Sequence, residues 1–281
     1  MLRRNLFVGP MVFTLFSTAA CAGSPDDPAA WVGNLPSPGR SLDALNANAL
    51  NANALYPEAL TPGMLGAYPL GPSTLGASGQ AALQDPAASG ELSRQLLKYT
   101  VSCALDNTQS FSFAWTDASG GSHVETYPGL LGLATSWASQ PLDQQGQHWV
   151  SACLASRINW YGITVSLSSR GAAPGLTTTS DEVAAYAWEE GAFWGDLFTS
   201  TPAVYACDAP PNDPHSRSLF RDCAAGHLDS SGPAVSCGPL QRVGSCDTHC
   251  TPLNADHFHP SCSATPSVEG PGSPAITVFL Q

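Results

Sequence analysis

Cysteine and histidine residues cluster near the end of the chain at spacings that suit metal binding. Cys246 and Cys250 lie four positions apart, and His257, His259 and Cys262 follow within the next twelve. Zinc binds thiolate and imidazole ligands at short spacings of this kind, so His257 and His259 are candidate metal ligands. The alternative, which we favour, is that the cysteines are oxidised in pairs, as is common in proteins that leave the cytoplasm. The choice therefore depends on the compartment in which the chain folds.

A second cluster combines carboxylates with aromatic rings. Glu189, Glu190 and Asp196 lie in the same stretch as Trp188 and Trp194. Glycoside hydrolases use two carboxyls, one as acid and one as nucleophile or base, so these three acidic residues are candidate catalytic groups for carbohydrate hydrolysis. The alternative is a turn that carries solvated carboxylates beside two core tryptophans, and we favour it. We also expect four further tryptophans, at 115, 137, 149 and 160, to belong to the core.

Other motifs of catalysis and cofactor binding are missing. The sequence contains no G-x-S-x-G, H-E-x-x-H, G-x-G-x-x-G or P-loop motif. We therefore expect no cofactor, and a binding or structural module is the leading hypothesis. The formal net charge is −12, with 10 basic against 22 acidic residues. Since nucleic-acid affinity depends on Lys and Arg neutralising phosphates, nucleic acid is excluded as an expected partner. The expected ligand is a glycan or a protein, and the sequence does not identify it.

The first 20 residues have the three parts of a secretory signal peptide. Arg3 and Arg4 precede an apolar run from Leu6 to Leu15, and small residues follow it. The apolar run is shorter than the roughly 20 residues needed to cross a bilayer, so we do not expect a permanent transmembrane helix. The segment predicts export, which in turn favours oxidised cysteines.

Thr18-Ala19-Ala20-Cys21 resembles the lipobox of bacterial lipoproteins. The resemblance implies that Cys21 is acylated, becomes the mature N-terminus and anchors the protein in a membrane, and Ala22 after it looks like outer-membrane sorting. A competing interpretation is ordinary cleavage before Gly23, because Ala20-Cys21-Ala22 also fits the A-x-A pattern of a freely secreted protein. Either outcome removes Cys21 from disulfide pairing and leaves eight of the nine cysteines.

These eight cysteines predict a disulfide framework. We expect Cys103 to pair with Cys153, because both lie on or near apolar faces of predicted helices. The other six crowd into a segment rich in Pro, Gly and Ser that has little apolar periodicity, and the sequence does not choose among their pairings. They are Cys207, Cys223, Cys237, Cys246, Cys250 and Cys262.

Residues 21–88 are predicted to form a low-complexity, flexible tether. The segment is rich in Ala, Pro, Gly, Ser and Asn, and a leucine recurs every five residues from Leu45 to Leu75. A period of five fits neither an α-helix nor a β-strand. Such a repeat can also build a four-sided β-solenoid, as in pentapeptide-repeat proteins, but four prolines interrupt it. We therefore expect this segment to carry the folded domain away from a membrane surface.

Residues 89–281 are predicted to form one α+β domain with a small antiparallel sheet and two or three helices. Its first part, 89–204, has enough apolar periodicity to fold by burial, whereas 205–281 depends on disulfides. Apolar residues with a period of 3.6 predict helices that begin at Ser89 and Asp143. Apolar residues with a period of two predict a hairpin over 110–127 and strands at 163–167 and 276–280. A capping box at Thr179–Glu182 predicts a short helix, and the stretch that follows it to Phe198 is ambiguous.

Overall fold

The largest sheet in the described part of the chain has five strands, one of which is the C-terminal strand. The computed structural model describes residues 50–55, 57, 60–71, 74–210, 213–221, 224–228, 234–235, 237–266 and 272–281, all within a compact unit that spans Arg40–Gln281. The predicted signal peptide, Cys21 and Cys223 lie outside these residues. The described part of the chain is α+β, as predicted, and contains more helices than expected.

The strands, in chain order, are β1 (Ser110–Thr116), β2 (Ser122–Pro128), β3 (Ser168–Arg170), β4 (Trp188–Asp196), β5 (Ala203–Asp208), β6 (Leu240–Ser245), β7 (Ser261–Cys262), β8 (Ser273–Pro274) and β9 (Ile276–Leu280). The α-helices are α1 (Pro62–Gly66), α2 (Gly76–Gln84), α3 (Ala88–Ala104), α4 (Gln144–Arg157), α5 (Ser180–Ala185), α6 (Asp213–Ser218) and α7 (Cys246–His249). Short 3₁₀ helices cover Ala52–Leu55, Thr135–Ala138 and Pro174–Leu176.

The five-stranded sheet has the order β3-β9-β4-β5-β6. Only β5 and β6 are parallel, and the other neighbours are antiparallel. The C-terminal strand β9 lies between β3 and β4 and is buried along its length, which confirms that it is an internal strand. A run of apolar residues without charge or proline suits such a position, because both edges and both faces are covered.

Helix α4 packs against this sheet, mainly on β4, and helix α3 packs on α4. Residues Val150, Leu154 and Ile158 are fully buried beneath α3 and the sheet. The Cys103–Cys153 disulfide joins the two helices and confirms that predicted pair. In the chain-entropy account, closing a loop of this length stabilises the fold by about 4 kcal/mol.

The leucine repeat is part of the core, which corrects the prediction of a flexible tether over the described part of residues 50–88. Leu50, Leu55, Leu60 and Leu65 are at most 1% exposed, and Leu75 is also buried. The chain here alternates short helices with turns, so that successive leucines reach the same core at each change of direction. Helix propensity does not predict this folded segment, because each of its helices is shorter than a helix that is stable in isolation. Leu45 and residues 21–49 lie outside the described residues.

The observed bounds of several helices and strands differ from the predicted bounds. Helix α3 has Ala87 rather than Ser89 as its N-cap. Helix α4 begins after the predicted cap Asp143, whose carboxylate accepts from Gly146 N–H, but ends at Arg157 because the chain turns through Asn159 and Gly162. The strand predicted at 163–167 is wrong: only Ser168–Arg170 pairs with β9. Thr179 caps α5 as predicted, and β4 occupies the ambiguous stretch after it.

A buried ion pair connects helix α4 to the sheet. Arg221 is fully buried and donates to Glu190 Oε2 at 2.7 Å. Its other nitrogens donate to the carbonyl oxygens of Ser156 and Ile158 at the end of α4. The planar guanidinium therefore satisfies terminal carbonyl groups of a helix and a buried carboxylate together.

Candidate functional site

The hairpin formed by β4 and β5 presents a pair of aromatic rings. Trp194 and Tyr205 are cross-strand partners, and their rings are stacked with centroids 5.8 Å apart. Side chains that lie opposite each other in an antiparallel pair are close enough to stack in this way. Trp194 is almost fully buried, whereas Tyr205 is partly exposed. The hairpin therefore offers an aromatic wall with one accessible ring.

An open cleft of about 270 Å³ lies against this wall. Its second side comes from the short β7–β8 hairpin, which approaches the end of β4. Four of the other ten lining residues carry a hydroxyl group, and one carries a carboxylate. The cleft is lined by Trp194, Gly195, Asp196, Thr199, Thr201, Ala203, Tyr205, Cys262, Ser263, Ala264, Gly272 and Ser273.

Asp196 provides the charge in the cleft. Its Oδ1 accepts a hydrogen bond from Phe198 N–H at 2.8 Å, and its Oδ2 lies 3.5 Å from His148 Nε2 on helix α4. Among the described residues that line the cleft, none is a lysine or an arginine. Because the whole chain is also acidic, the cleft favours neutral polar ligands over anions.

The other two candidate carboxylates have partners elsewhere. Glu189 Oε1 lies 3.0 Å from His259 Nε2, and Glu190 is buried against Arg221. Neither belongs to the described lining of the cleft, so only Asp196 of the three predicted catalytic residues is found there. Both stereochemical routes of glycoside hydrolysis need a second carboxyl across the scissile bond, and among the described lining residues there is none.

The imidazole of His259 lies between two hydrogen-bond acceptors. Its Nε2 faces Glu189, and its Nδ1 faces the carbonyl oxygen of Thr251. An imidazole that donates from both nitrogens carries a positive charge. Burial alone lowers the pKa of His259, but the hydrogen bonds to Glu189 and Thr251 outweigh it and raise the pKa above its ordinary value. The side chain therefore joins the loop before β7 to strand β4.

The two candidate metal-binding histidines are in different surroundings. His257 is exposed, at a left-handed φ of 59°, whereas His259 is buried. The group in which His259 does approach other ligand types contains Glu189 and Cys246, but the sulfur of Cys246 is in a disulfide. The arrangement suits a structural hydrogen-bond network better than a metal centre.

Two disulfides lie side by side behind the cleft. Cys207 pairs with Cys246 and Cys250 pairs with Cys262, which confirms disulfide bonding in the C-terminal part. These four cysteines pack with Ala192, Trp194 and Ala275 in a second, smaller core. Cys237 is buried, and Cys223 lies outside the described residues. Disulfides at this density are compatible with an extracytoplasmic protein.

No family model, curated protein or solved structure matches this chain. The geometry of its own residues therefore carries the functional argument. Within the part of the chain that the structure describes, no helix has the length and apolarity to cross a membrane.

A second aromatic surface is more exposed than the cleft. Trp160 is 50% exposed and stacks on His227 at 4.1 Å, and Tyr161 meets Phe220 edge to face. This corrects the prediction that Trp160 lies in the core, because the chain leaves helix α4 at Arg157 and turns outward. Trp137 and Trp149 are buried as predicted, and Trp115 is partly exposed beneath the guanidinium of Arg94.

Most residues of the cleft were absent from the predicted site. Thr199, Thr201 and Tyr205 have no recognisable motif around them, and Ser263 and Ser273 come from distant parts of the chain. One signal was available: an alternating segment at Ala203–Asp208 follows β4 after a Thr-Ser-Thr-Pro turn. Aligning the two strands as a hairpin would have placed Tyr205 opposite Trp194.

Proposed function

We propose that the protein is an exported cell-envelope binding module without catalytic activity, and that its cleft binds a neutral glycan. The single observation that carries the proposal is the cleft, which combines the Trp194–Tyr205 stack with four hydroxyl-bearing residues and one carboxylate. An aromatic face accommodates the apolar face of a sugar ring, while a few fixed polar groups orient the ring hydroxyls.

Asp196 suits recognition of sugar hydroxyls rather than catalysis. Its Oδ1 is engaged by Phe198 N–H, and its other oxygen faces His148, so the carboxylate is held in a fixed orientation at the cleft. A fixed carboxylate accepts hydrogen bonds from two neighbouring hydroxyls of a sugar. Hydrolysis would need a partner carboxyl, and both Glu189 and Glu190 are committed to cations elsewhere. The hydrolase alternative therefore has weaker geometric support.

The attachment of the protein to a membrane is a separate part of the proposal. The resemblance of Thr18–Cys21 to a lipobox supports an outer-membrane lipoprotein that meets its glycan ligand at the cell surface. The alternative cleavage before Gly23 would give a secreted form with the same cleft. Intact mass of the purified mature protein separates these outcomes, since an acyl group at Cys21 adds mass that ordinary cleavage cannot.

The test is a glycan-array screen of the mature protein, followed by calorimetric titration of the best neutral oligosaccharide. We expect Tyr205→Ala to weaken binding at least tenfold, equivalent to about 1.4 kcal/mol, because it removes the accessible ring of the stack. The matched control is Trp160→Ala, which removes an exposed ring from the second aromatic surface and should leave the affinity unchanged. Binding lost in Trp160→Ala and retained in Tyr205→Ala would contradict the proposal, as would release of reducing sugar from the oligosaccharide.

A further inference from the structure

The two C-terminal disulfides are in direct contact with each other. Cys207 Sγ lies 3.4 Å from Cys250 Sγ, although these two atoms belong to different bridges. The sulfurs of Cys207, Cys246 and Cys250 all lie within 4.8 Å of one another.

One end of this sulfur cluster reaches the cleft. Cys262 belongs to the cleft lining, and it sits on the two-residue strand β7, whose ladder to β8 involves only Ser261–Cys262 and Ser273–Pro274. An external thiol in the cleft is therefore closest to the Cys250–Cys262 bridge, while the Cys207–Cys246 bridge lies behind it.

The other end of the cluster is beside a hydrogen-bonded imidazole. The ligand atoms of Cys246, His259 and Glu189 lie within 4.8 Å of one another. A cationic donor near a sulfur favours the thiolate form and makes that sulfur a better leaving group. The three features are therefore arranged in order: a buried bridge that borders the cleft, a sulfur–sulfur contact, and a stabilised leaving thiolate.

We propose that these two bridges form a disulfide relay that oxidises a dithiol. A thiolate of the dithiol attacks Cys262 Sγ, which forms a mixed disulfide and releases the Cys250 thiolate. Cys250 then attacks Cys207 Sγ, forming a Cys207–Cys250 bond and releasing Cys246. The second thiol of the substrate then attacks the substrate sulfur that is bonded to Cys262. This step forms the substrate disulfide and releases the Cys262 thiolate.

The reaction is balanced without any further oxidant. The dithiol loses two electrons and two protons and becomes a disulfide, while Cys246 and Cys262 gain them as thiols. The number of protein disulfides in the cluster falls from two to one, and the remaining bond joins Cys207 to Cys250. This activity does not depend on glycan binding, and its readout is the position of protein thiols rather than ligand affinity.

The test is limited reduction of the folded full chain with dithiothreitol, followed by alkylation at successive times and peptide mapping. Cleavage before Asp208, Asp247 and Asp256 places the four cysteines in separate peptides. We expect about two alkylated thiols per cluster, at Cys246 and Cys262, together with a Cys207–Cys250 cross-link. The Cys103–Cys153 bridge, which is buried between helices, is the internal control and should react at least about tenfold more slowly.

Three outcomes would overturn the proposal. Alkylation of Cys250 and Cys262 with the Cys207–Cys246 bridge intact would show that the first bridge opens without transfer. Alkylation of Cys207 and Cys246 alone would reverse the order of access. Resistance of both bridges until denaturant is added would show that they act only as staples.

Discussion

The two cores of this protein are stabilised in different ways. The larger core unites the leucine repeat, helices α3 and α4 and most of the sheet, with one disulfide across its helices. The smaller core beneath the cleft consists of Ala192, Trp194, Ala275 and two disulfides, with few other apolar residues. The comparison suggests that the helical region folds by burial, while covalent links shape the region that presents a cleft to ligands.

The largest expected effect is a loss of stability from a substitution in the larger core. Leu55→Ala should lower the free energy of unfolding by about 3 kcal/mol, because the leucine is fully buried and the truncated site leaves a cavity. Leu70→Ala, in the same five-residue repeat but only partly buried, is the matched control and should cost about 1 kcal/mol. Urea denaturation followed by tryptophan fluorescence measures both. Equal stability of both variants and the wild type would restore the tether interpretation of this segment.

A smaller effect on stability, dependent on pH, is expected beside the smaller core. His259→Asn should cost about 2 kcal/mol in acid, since it removes charge-assisted hydrogen bonds to Glu189 and Thr251. The folded pKa of His259 is raised, so its contribution is complete below the ordinary pKa of about 6.5. The contribution is lost as the pH rises through the folded pKa.

Thermal unfolding at a series of pH values measures this difference between wild type and variant. The exposed neighbour His257 provides the control, because His257→Asn replaces a solvent-exposed side chain and should change the stability only slightly. A penalty for His259→Asn that grew as the pH rose would contradict the assignment of a cationic imidazole.

The sequence predicted the elements whose pattern is local and periodic. The β1–β2 hairpin follows from the alternation of Phe111, Phe113 and Trp115, and helix α4 from its apolar stripe and the Asp143 cap. The Cys103–Cys153 pair followed from the two helices. The hairpin and the helices depend on neighbours within a few turns of chain, and such neighbours are visible in a sequence. The cysteine pair is 50 residues apart, and its prediction depended on the two helices that carry it.

The remaining features depend on contacts between distant segments. The leucine repeat resembles a linker because no single five-residue unit can form a stable element. Its burial arises from contacts with distant segments, among them helix α3, the end of α4 and Trp137. The cleft joins the β4–β5 turn to residues 262–264 and 272–273, which no local pattern relates. The contact between Cys207 and Cys250 likewise follows from the parallel pairing of β5 with β6, which places Cys246 next to Cys207.

We propose that the disulfide-linked region, and not the exposed aromatic surface, receives the ligand. Hydrogen–deuterium exchange of the full chain, with and without a saturating neutral oligosaccharide from the array, tests it most directly. We expect slower exchange in the turn at 197–203 and in residues 261–264, with no change at Trp160, Tyr161 or Phe220. Protection confined to those three residues, or no protection anywhere in the presence of a bound oligosaccharide, would contradict it.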